Sequence, residues 1–194
     1  RIGSTPLFYE GETSAGYFER RFSGNTQPQF SAMRADTFHQ VVAPHTFFNW
    51  LNVTPRVGGR FTHYGEANGP GATTTEQDRG VFNTGIETSF KASRVWPEIK
   101  STTFNLDGLR HIVEPSLNYV YVPRPNVTPK KLPQFDSDEV NFRLPPIDFP
   151  DYNSIDSIDV QNVLRMGLHN RIQTKRNGQI DDFINWAVFT DWRL

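Results

Sequence analysis

The chain has 194 residues, no cysteine and a formal net charge of −1, and 13% of its residues are aromatic. A charge this close to zero argues against a surface built for nucleic acid, so no nucleic-acid partner is predicted. Without cysteine, this sequence holds no disulfide, thiolate metal site or cysteine nucleophile. No apolar run approaches the roughly 18–20 residues of a membrane-spanning helix, so a helical membrane protein is excluded.

Apolar and polar residues alternate with a period of two along most of the chain, which predicts long β-strands with one face of each kind. The clearest case starts at Leu51, where apolar and polar residues alternate as far as Tyr64. Two prolines inside predicted strands, Pro55 and Pro115, remove ladder donors and indicate kinks, bulges or edge positions. The predicted strands, in chain order, span residues 9–22 with a break near Gly11, 30–42, 51–64, 82–93, 113–121, 160–175 and 186–193.

One of these segments, residues 160–175, also fits a helix. Leu164, Leu168 and Ile172 recur at a spacing of four, which would place them on one side of a helix. They also alternate with polar residues as a strand requires. Gly167 in the middle of the segment favours the strand.

The connectors between the predicted strands are of two kinds. The turn at residues 176–178 is short and contains an Asn-Gly pair, which favours a hairpin. By contrast, residues 65–80 are rich in Gly and Thr, and residues 123–157 are rich in Pro and Asp. A connector as long as 123–157 is uncommon in a compact domain and predicts a functional or lid-like loop, expected to be extracellular.

Strand length separates a soluble β-sandwich from a membrane barrel. The predicted strands are about 10–14 residues long, whereas globular strands average about 5–6 and a tilted membrane strand needs about 9–11. Aromatic residues such as Trp50, Tyr64 and Trp96 lie near strand ends, as in the girdles of a barrel. We therefore predict an all-β fold, an antiparallel transmembrane β-barrel. About seven strands are too few to close one, so residues 1–194 are expected to be part of one larger outer-membrane barrel domain.

The two faces of such strands predict different surroundings. Arginine in mid-bilayer costs about 2–4 kcal/mol, so the polar parity should line the lumen while the apolar parity meets lipid. A charged lumen could pass a hydrated sugar headgroup, bind a plug protein or simply be solvated. The predicted lumen-facing residues are Arg56, Arg60, Glu87, Lys91, Glu114, Arg165, Arg171 and Lys175. The predicted lipid-facing residues are Leu51, Val53, Val57, Phe61, Ile86, Phe90, Leu117 and Leu168.

The sequence offers little support for catalysis, and no catalytic, cofactor-binding or metal-ligating residue is predicted. The histidines show no metal-type spacing. Ser116 and His111 are close in sequence but have opposite parity, so they point to opposite faces of a strand. The carboxylates of the long loop could bind Ca²⁺ or touch cations that bridge lipid phosphates, or they could be solvated next to Lys130 and Arg143. These carboxylates are Asp136, Asp138, Glu139, Asp148, Asp151, Asp156 and Asp159.

Four motifs follow one another in order along residues 32–194. Thr54-Pro55-Arg56 begins a strand that ends at Tyr64, and a later strand with Glu114-Pro115 ends in Tyr-Val-Tyr-Val-Pro at Pro123. Pro-Gln-Phe-Asp-Ser follows at residues 133–137, and an Asn-x-Val-like strand begins at Asn162 and continues to Asn170-Arg171. In their order and spacing, these motifs together resemble the LptD family of lipopolysaccharide-assembly proteins. The family's Gly-x-Asp-Arg-Ile stretch appears here only as residues 154–159, Ser-Ile-Asp-Ser-Ile-Asp.

The resemblance implies a function in the outer membrane of Gram-negative cells. A member would insert lipopolysaccharide into the outer leaflet and would not be an enzyme. Its partners would be lipopolysaccharide, membrane lipid, an LptE-like lipoprotein plug and a periplasmic Lpt bridge, reached through an N-terminal domain absent from this sequence. Two alternatives stay open: a porin-like or other substrate-transport barrel, and a soluble β-rich glycan-binding domain.

Overall fold

A computed structural model describes residues 1–136, 147, 152–176 and 178–194. The described residues form one antiparallel sheet of nine strands and contain three short 3₁₀ segments but no α-helix. The strands are β1 (Phe8–Arg20), β2 (Phe30–Val42), β3 (His45–Phe47), β4 (Leu51–Tyr64), β5 (Gln77–Phe90), β6 (Ala92–Ser101), β7 (Leu106–Val122), β8 (Gln161–Arg176) and β9 (Gln179–Arg193). The 3₁₀ segments are Ser23–Asn25, Pro129–Lys131 and Tyr152–Ser157.

The strand order is β1-β2-β4-β5-β7-β8-β9, so the path through the sheet has seven members. The two remaining strands lie off this path, with β3 paired to β4 and β6 paired to β7. In sequence, β3 follows β2 after residues 43–44, and β6 follows β5 after residue 91. The seven predicted strands therefore correspond to the path, and the segment predicted as either strand or helix is strand β8.

β4 changes its pairing partner from β2 to β3 at Pro55. Val42 of β2 pairs with Arg56, and His45 of β3 pairs with Val53. Between these two ladders, the amide of Ala43 donates to the carbonyl of Pro55 at 3.0 Å, while Pro55 itself has no amide hydrogen to donate. A kink, bulge or edge position at Pro55 and at Pro115 stays a prediction.

The sequence prediction was wrong about the hairpin formed by β6 and β7. Residues 94–112 were not predicted as strand, yet β6 continues to Ser101 and β7 begins at Leu106. The register shifts between Trp96 and Lys100, and Gly108 has a φ of +78°, a conformation that favours glycine. These irregularities break the period of two on which the prediction depended.

The chain divides into two compact units. Unit 1 comprises residues 1–43, 55–85 and 120–163, and unit 2 comprises residues 44–54, 86–119 and 164–194. The long connections after β1, β4 and β7 belong to unit 1, whereas the short turns that precede β4, β7 and β9 belong to unit 2. Long loops therefore alternate with short turns along the chain. Among the described residues, no helix is long and apolar enough to cross a membrane.

Unit 1 contains a small apolar core between its strands and residues from the long connection after β7. Ile147 and Ile158 of that connection contribute to it. We call residues 132–158 the covering segment, of which the structure describes 132–136, 147 and 152–158. The strand residues of the core are Phe38, Val81, Val120, Val122 and Val163.

Candidate functional site

Asp156 in the covering segment of unit 1 is a charged side chain with no exposed surface. Its Oδ1 accepts hydrogen bonds from Nη1 of Arg34 at 2.8 Å and from the hydroxyl of Tyr64 at 2.6 Å. Its Oδ2 accepts from the backbone amides of Phe135 at 2.7 Å and Asp136 at 3.2 Å. A buried carboxylate needs this density of donors, because an unpaired charge in the interior is strongly unfavourable.

Asp136 also contacts Asp156, so residues 132–136 and 152–158 of the covering segment are bound to each other. Its Oδ2 accepts from the backbone amide of Asp156 at 3.0 Å, and its Oδ1 lies 3.1 Å from Nη1 of Arg34. Arg34 therefore bridges both carboxylates, with only 7% of its side chain exposed. Its guanidinium also lies 4.4 Å from the ring centre of Phe18, a cation–π contact.

Two further arginines hold the backbone of the covering segment. Arg79 of β5 is fully buried and donates to the carbonyls of Ile155, Asp156 and Ile158. Arg20 at the end of β1 donates to the carbonyl of Phe135 at 3.0 Å. Arginine suits this role because its five donors lie in a fixed fork and its charge is permanent.

A second buried cluster lies on β2 and β4. Asp36 accepts a hydrogen bond from the hydroxyl of Thr62 at 2.6 Å, and its other oxygen lies 3.3 Å from Nε of Arg60. Next along β2, the amide oxygen of Gln40 accepts from Asn83 of β5 at 2.9 Å. Unit 1 thus has charged and amide groups on one face of three strands, and ion pairs and hydrogen bonds join them.

Strand parity explains why these residues share a face. Arg34, Asp36 and Gln40 alternate with more exposed neighbours along β2, as Arg79 and Asn83 do along β5. Successive side chains of a strand point to opposite sides, so one parity meets the covering segment and the other does not. On the other parity, large apolar side chains are half exposed: Val57 at 47%, Phe61 at 50% and Phe82 at 48%.

Unit 2 has its own charged cluster, and it is more open. Glu114 of β7 lies 2.9 Å from Nζ of Lys91 and 3.0 Å from Nη2 of Arg171, and its side chain is 28% exposed. The ring of His169 is 3.5 Å from the second oxygen of the same carboxylate. Separately, Arg165 and Asp191 form a two-pronged pair with distances of 2.6 and 2.8 Å.

The residues predicted to face a lumen are distributed over both units. Arg56 and Arg60 are buried in unit 1, while Glu87 and Lys175 are exposed. Four members form ion pairs in unit 2: Lys91, Glu114, Arg165 and Arg171. Their assignment to a lumen stays a prediction.

The residues predicted to face lipid are all at least partly exposed. Val57, Phe61, Ile86, Leu117 and Leu168 have between 38% and 50% of their surface accessible. The remaining three are of intermediate exposure: Leu51, Val53 and Phe90. Their contact with lipid likewise stays a prediction.

The interpretation of the loop carboxylates as solvated groups is wrong for two of them. Asp156 is fully buried and Asp136 is 16% exposed, and both pair with Arg34. Asp159 is exposed, as that interpretation expected. Four of the carboxylates, together with Arg143, lie outside the described residues: Asp138, Glu139, Asp148 and Asp151.

Sequence reasoning missed Arg34, Tyr64 and Arg79 as functional candidates. Their partner Asp156 lies far along the chain, 122 residues beyond Arg34. A signal was nevertheless present, because Asp136 and Asp156 both fall in segments that resemble motifs of one family. The contact between Asp136 and Asp156 gives a structural reason why both segments of this long connector resemble family motifs.

The histidine that the sequence raised as a catalytic candidate has a different neighbour in the structure. His111 is within hydrogen-bond distance of Asn170, at 3.0 Å, rather than next to a nucleophile. Among the described residues, no group of three or more His, Asp or Glu side chains is arranged to hold a metal ion. What the buried cluster of unit 1 can do is hold a connector against one face of a sheet.

The chain matches the model of a known protein family. The family model of LptD, described as LPS transport system D, matches residues 2–184. The match covers nearly the whole chain and confirms the resemblance found in the sequence motifs. No curated protein matches the chain.

Proposed function

Because this chain belongs to the LptD family, we propose that it is part of an outer-membrane β-barrel translocon that inserts lipopolysaccharide into the outer leaflet of Gram-negative cells. The family is a transport component of the outer membrane and not an enzyme family. The sheet described here would be one arc of the barrel wall, and closure would need further strands at β1 and β9.

The observation that carries this proposal is the contrast between the two parities of the strands. One parity bears paired charges, such as Arg60 with Asp36 in unit 1 and Glu114 with Arg171 in unit 2. The other parity bears half-exposed apolar side chains such as Val57 and Phe61. Apolar-out and polar-in alternation is what a strand requires when it separates lipid from an aqueous lumen.

In this arrangement the strand face that bears the charged side chains lines the lumen. Its carboxylates and guanidinium groups offer acceptors and donors to the hydroxyls of a sugar headgroup, while acyl chains stay in the lipid. The same residues are candidates for contact with a lipoprotein plug of the LptE type. A periplasmic Lpt bridge would deliver lipopolysaccharide through a further domain.

Residues 132–136 and 152–158 of the covering segment would then fold back against the lumen wall on the extracellular side, where the loop at residues 123–157 is expected. The anchoring of the covering segment by Arg34, Arg79 and Tyr64 supports this role, because a solvated loop would not bury a carboxylate. Such a segment would narrow the lumen on its outer side.

Depletion of the full-length protein tests the function. Lipopolysaccharide at the cell surface, measured by labelling with an impermeant probe, should fall while total lipopolysaccharide is retained in the cell. A porin-like barrel predicts a different result, with unchanged surface lipopolysaccharide and a lower uptake of small solutes. That result would overturn the proposal.

A pair of substitutions tests the faces. Val57→Arg places a charge on the apolar parity and should block assembly, because arginine in mid-bilayer costs about 2–4 kcal/mol. Glu87→Arg places the same residue on the opposite parity, where the side chain is exposed, and should assemble normally. The amount of folded protein in the outer membrane is the measurement, and the reverse order would contradict the face assignment.

A further inference from the structure

A cavity of about 360 Å³ lies within unit 2, lined by β6, β7, β8 and the start of β9. It is separate from the ion pairs of Glu114 and was not expected from the sequence. Its size is at the lower end of the range found for small-molecule pockets, about 300–1,000 Å³. The cavity lies where the β6–β7 ladder is irregular, between the register shift after Trp96 and the positive φ of Gly108.

The lining of this cavity is both apolar and charged. Apolar side chains of β6, β7 and β9 line one part of it, including Val95, Leu109 and Ile180. The charged lining consists of three cations and one carboxylate: Lys100, Arg110, Lys175 and Asp107. The cavity therefore combines an apolar surface with an excess of positive charge.

Two of the three cations are not neutralised by a close carboxylate. Lys100 lies 2.9 Å from Asp107. Arg110 makes only a long hydrogen bond to Ser93, at 3.5 Å, and its buried Nε has no partner among the described residues. Lys175 makes no hydrogen bond or close ion pair with the residues that the structure describes, although the carboxylate of Asp107 attracts its charge.

The neighbouring acidic residues of β9 are already engaged. Asp181 pairs with Arg176 at 2.9 Å, and Asp182 accepts a hydrogen bond from Gln173 at 2.8 Å. Neither carboxylate lines the cavity. The free donors of Arg110 and Lys175 are thus available to an anion that enters from outside the protein.

We propose that this cavity binds the phosphorylated headgroup of an amphiphile, with the phosphate between Arg110 and Lys175 and the first part of the apolar chain against Val95 and Ile180. A phosphate has enough oxygens to accept from an arginine fork and from a lysine point charge at the same time. The choice of a lipid as the ligand rests on the proposed function, whereas the expectation of an anion with an apolar chain rests on the cavity lining alone.

Binding of decyl phosphate to the full-length protein, purified in a nonionic detergent, tests the proposal by titration calorimetry. Lys175→Gln and Arg110→Gln should each weaken binding about tenfold, since a hydrogen bond to a charged group contributes at about this level. Inorganic phosphate alone should bind much more weakly, because it leaves the apolar lining unused.

Arg176→Gln is the matched control. It removes the same charge one residue away, from a side chain that pairs with Asp181 and does not line the cavity. Its affinity for decyl phosphate should equal that of the unsubstituted protein. Equal weakening by Arg176→Gln and Lys175→Gln, or no weakening by Lys175→Gln, would overturn the site. Lys175 is exposed, so its variant keeps the test decisive if Arg110→Gln fails to fold.

Competition distinguishes the two sources of such a headgroup. A phosphorylated glucosamine lipid that displaces decyl phosphate at lower concentration than phosphatidylglycerol identifies the glycolipid as the occupant, and the reverse order identifies the bilayer phospholipid. Displacement by neither would contradict the proposal. Because binding is measured on purified protein, its failure is distinguishable from a failure of the transport function, which depletion reports.

Discussion

The carboxylate clusters around Asp156 and Glu114 use the same chemistry in different surroundings. Both carboxylates pair with arginine, but the side chain of Asp156 has no exposed surface while that of Glu114 is 28% exposed. Breaking a buried ion pair lowers stability strongly, because the charge that remains is buried without a partner and without water. Breaking an exposed ion pair has little effect, because water solvates the charge that remains. The charged cluster of unit 1 therefore holds a segment in place, whereas the charged side chains of unit 2 remain accessible to solvent and can change partners.

The largest effect should come from Asp156→Asn. The substitution keeps the shape of the side chain but leaves the guanidinium of Arg34 with only Asp136 as a charged partner. Breaking a buried pair in this way should lower the free energy of unfolding by about 3–5 kcal/mol. Urea titration of the full-length protein, followed by tryptophan fluorescence, is the measurement. Asp159→Asn, at an exposed carboxylate, is the control. If both substitutions lowered the free energy of unfolding equally, the burial of Asp156 would not be what makes its ion pair important.

Arg79→Lys should have the next largest effect. Lysine keeps the charge but cannot reach the carbonyls of Ile155, Asp156 and Ile158 together, as the guanidinium does. We expect a loss of about 2 kcal/mol, the level at which a buried polar group left without a partner destabilises a protein. The same urea titration measures it. Protease cleavage within the covering segment should also become faster, and unchanged cleavage would count against the anchoring role of Arg79.

Tyr64→Phe removes one hydroxyl and one hydrogen bond to Asp156, and it should cost about 1–2 kcal/mol. A double-mutant cycle with Asp156→Asn sharpens this prediction. If the hydroxyl acts through the carboxylate, the effect of Tyr64→Phe should be smaller in the Asp156→Asn background. Additive effects would show that the two groups contribute independently.

Glu114→Gln should have the smallest effect. Its partners are solvated, with Lys91 52% and Arg171 27% exposed, so the free energy of unfolding should change by less than about 1 kcal/mol. Raising the salt concentration to 1 M should abolish even this difference, because screening then acts over about 3 Å. A salt-insensitive loss as large as that of Asp156→Asn would mean that Glu114 is as structural as Asp156.

Much of the sheet followed from the sequence. The period of two in Leu51–Tyr64 predicted β4 at its observed bounds, and Gly167 correctly favoured strand over helix in β8. The same rule failed for the hairpin of β6 and β7, where Pro97 and Gly108 interrupt the alternation. Alternation is informative only where the ladder is regular.

The candidate sites followed from the sequence less well. Lys91, Glu114 and Arg171 were grouped by parity, and they do form one cluster. The covering segment was predicted only as a loop, and the cavity beside Lys175 was not predicted, because it depends on a register shift. No pattern along the chain places a loop carboxylate next to a strand arginine 122 residues away.

The sequence by itself therefore determined which segments are strands and which side chains share a face. Both are local properties of a backbone that turns by half a rotation at each residue. Only the tertiary structure decided which of the loop carboxylates is buried and which stays in solvent. Asp156 and Asp159 have the same chemistry, and what separates them is the presence of Arg34, Tyr64 and Arg79 around one and water around the other.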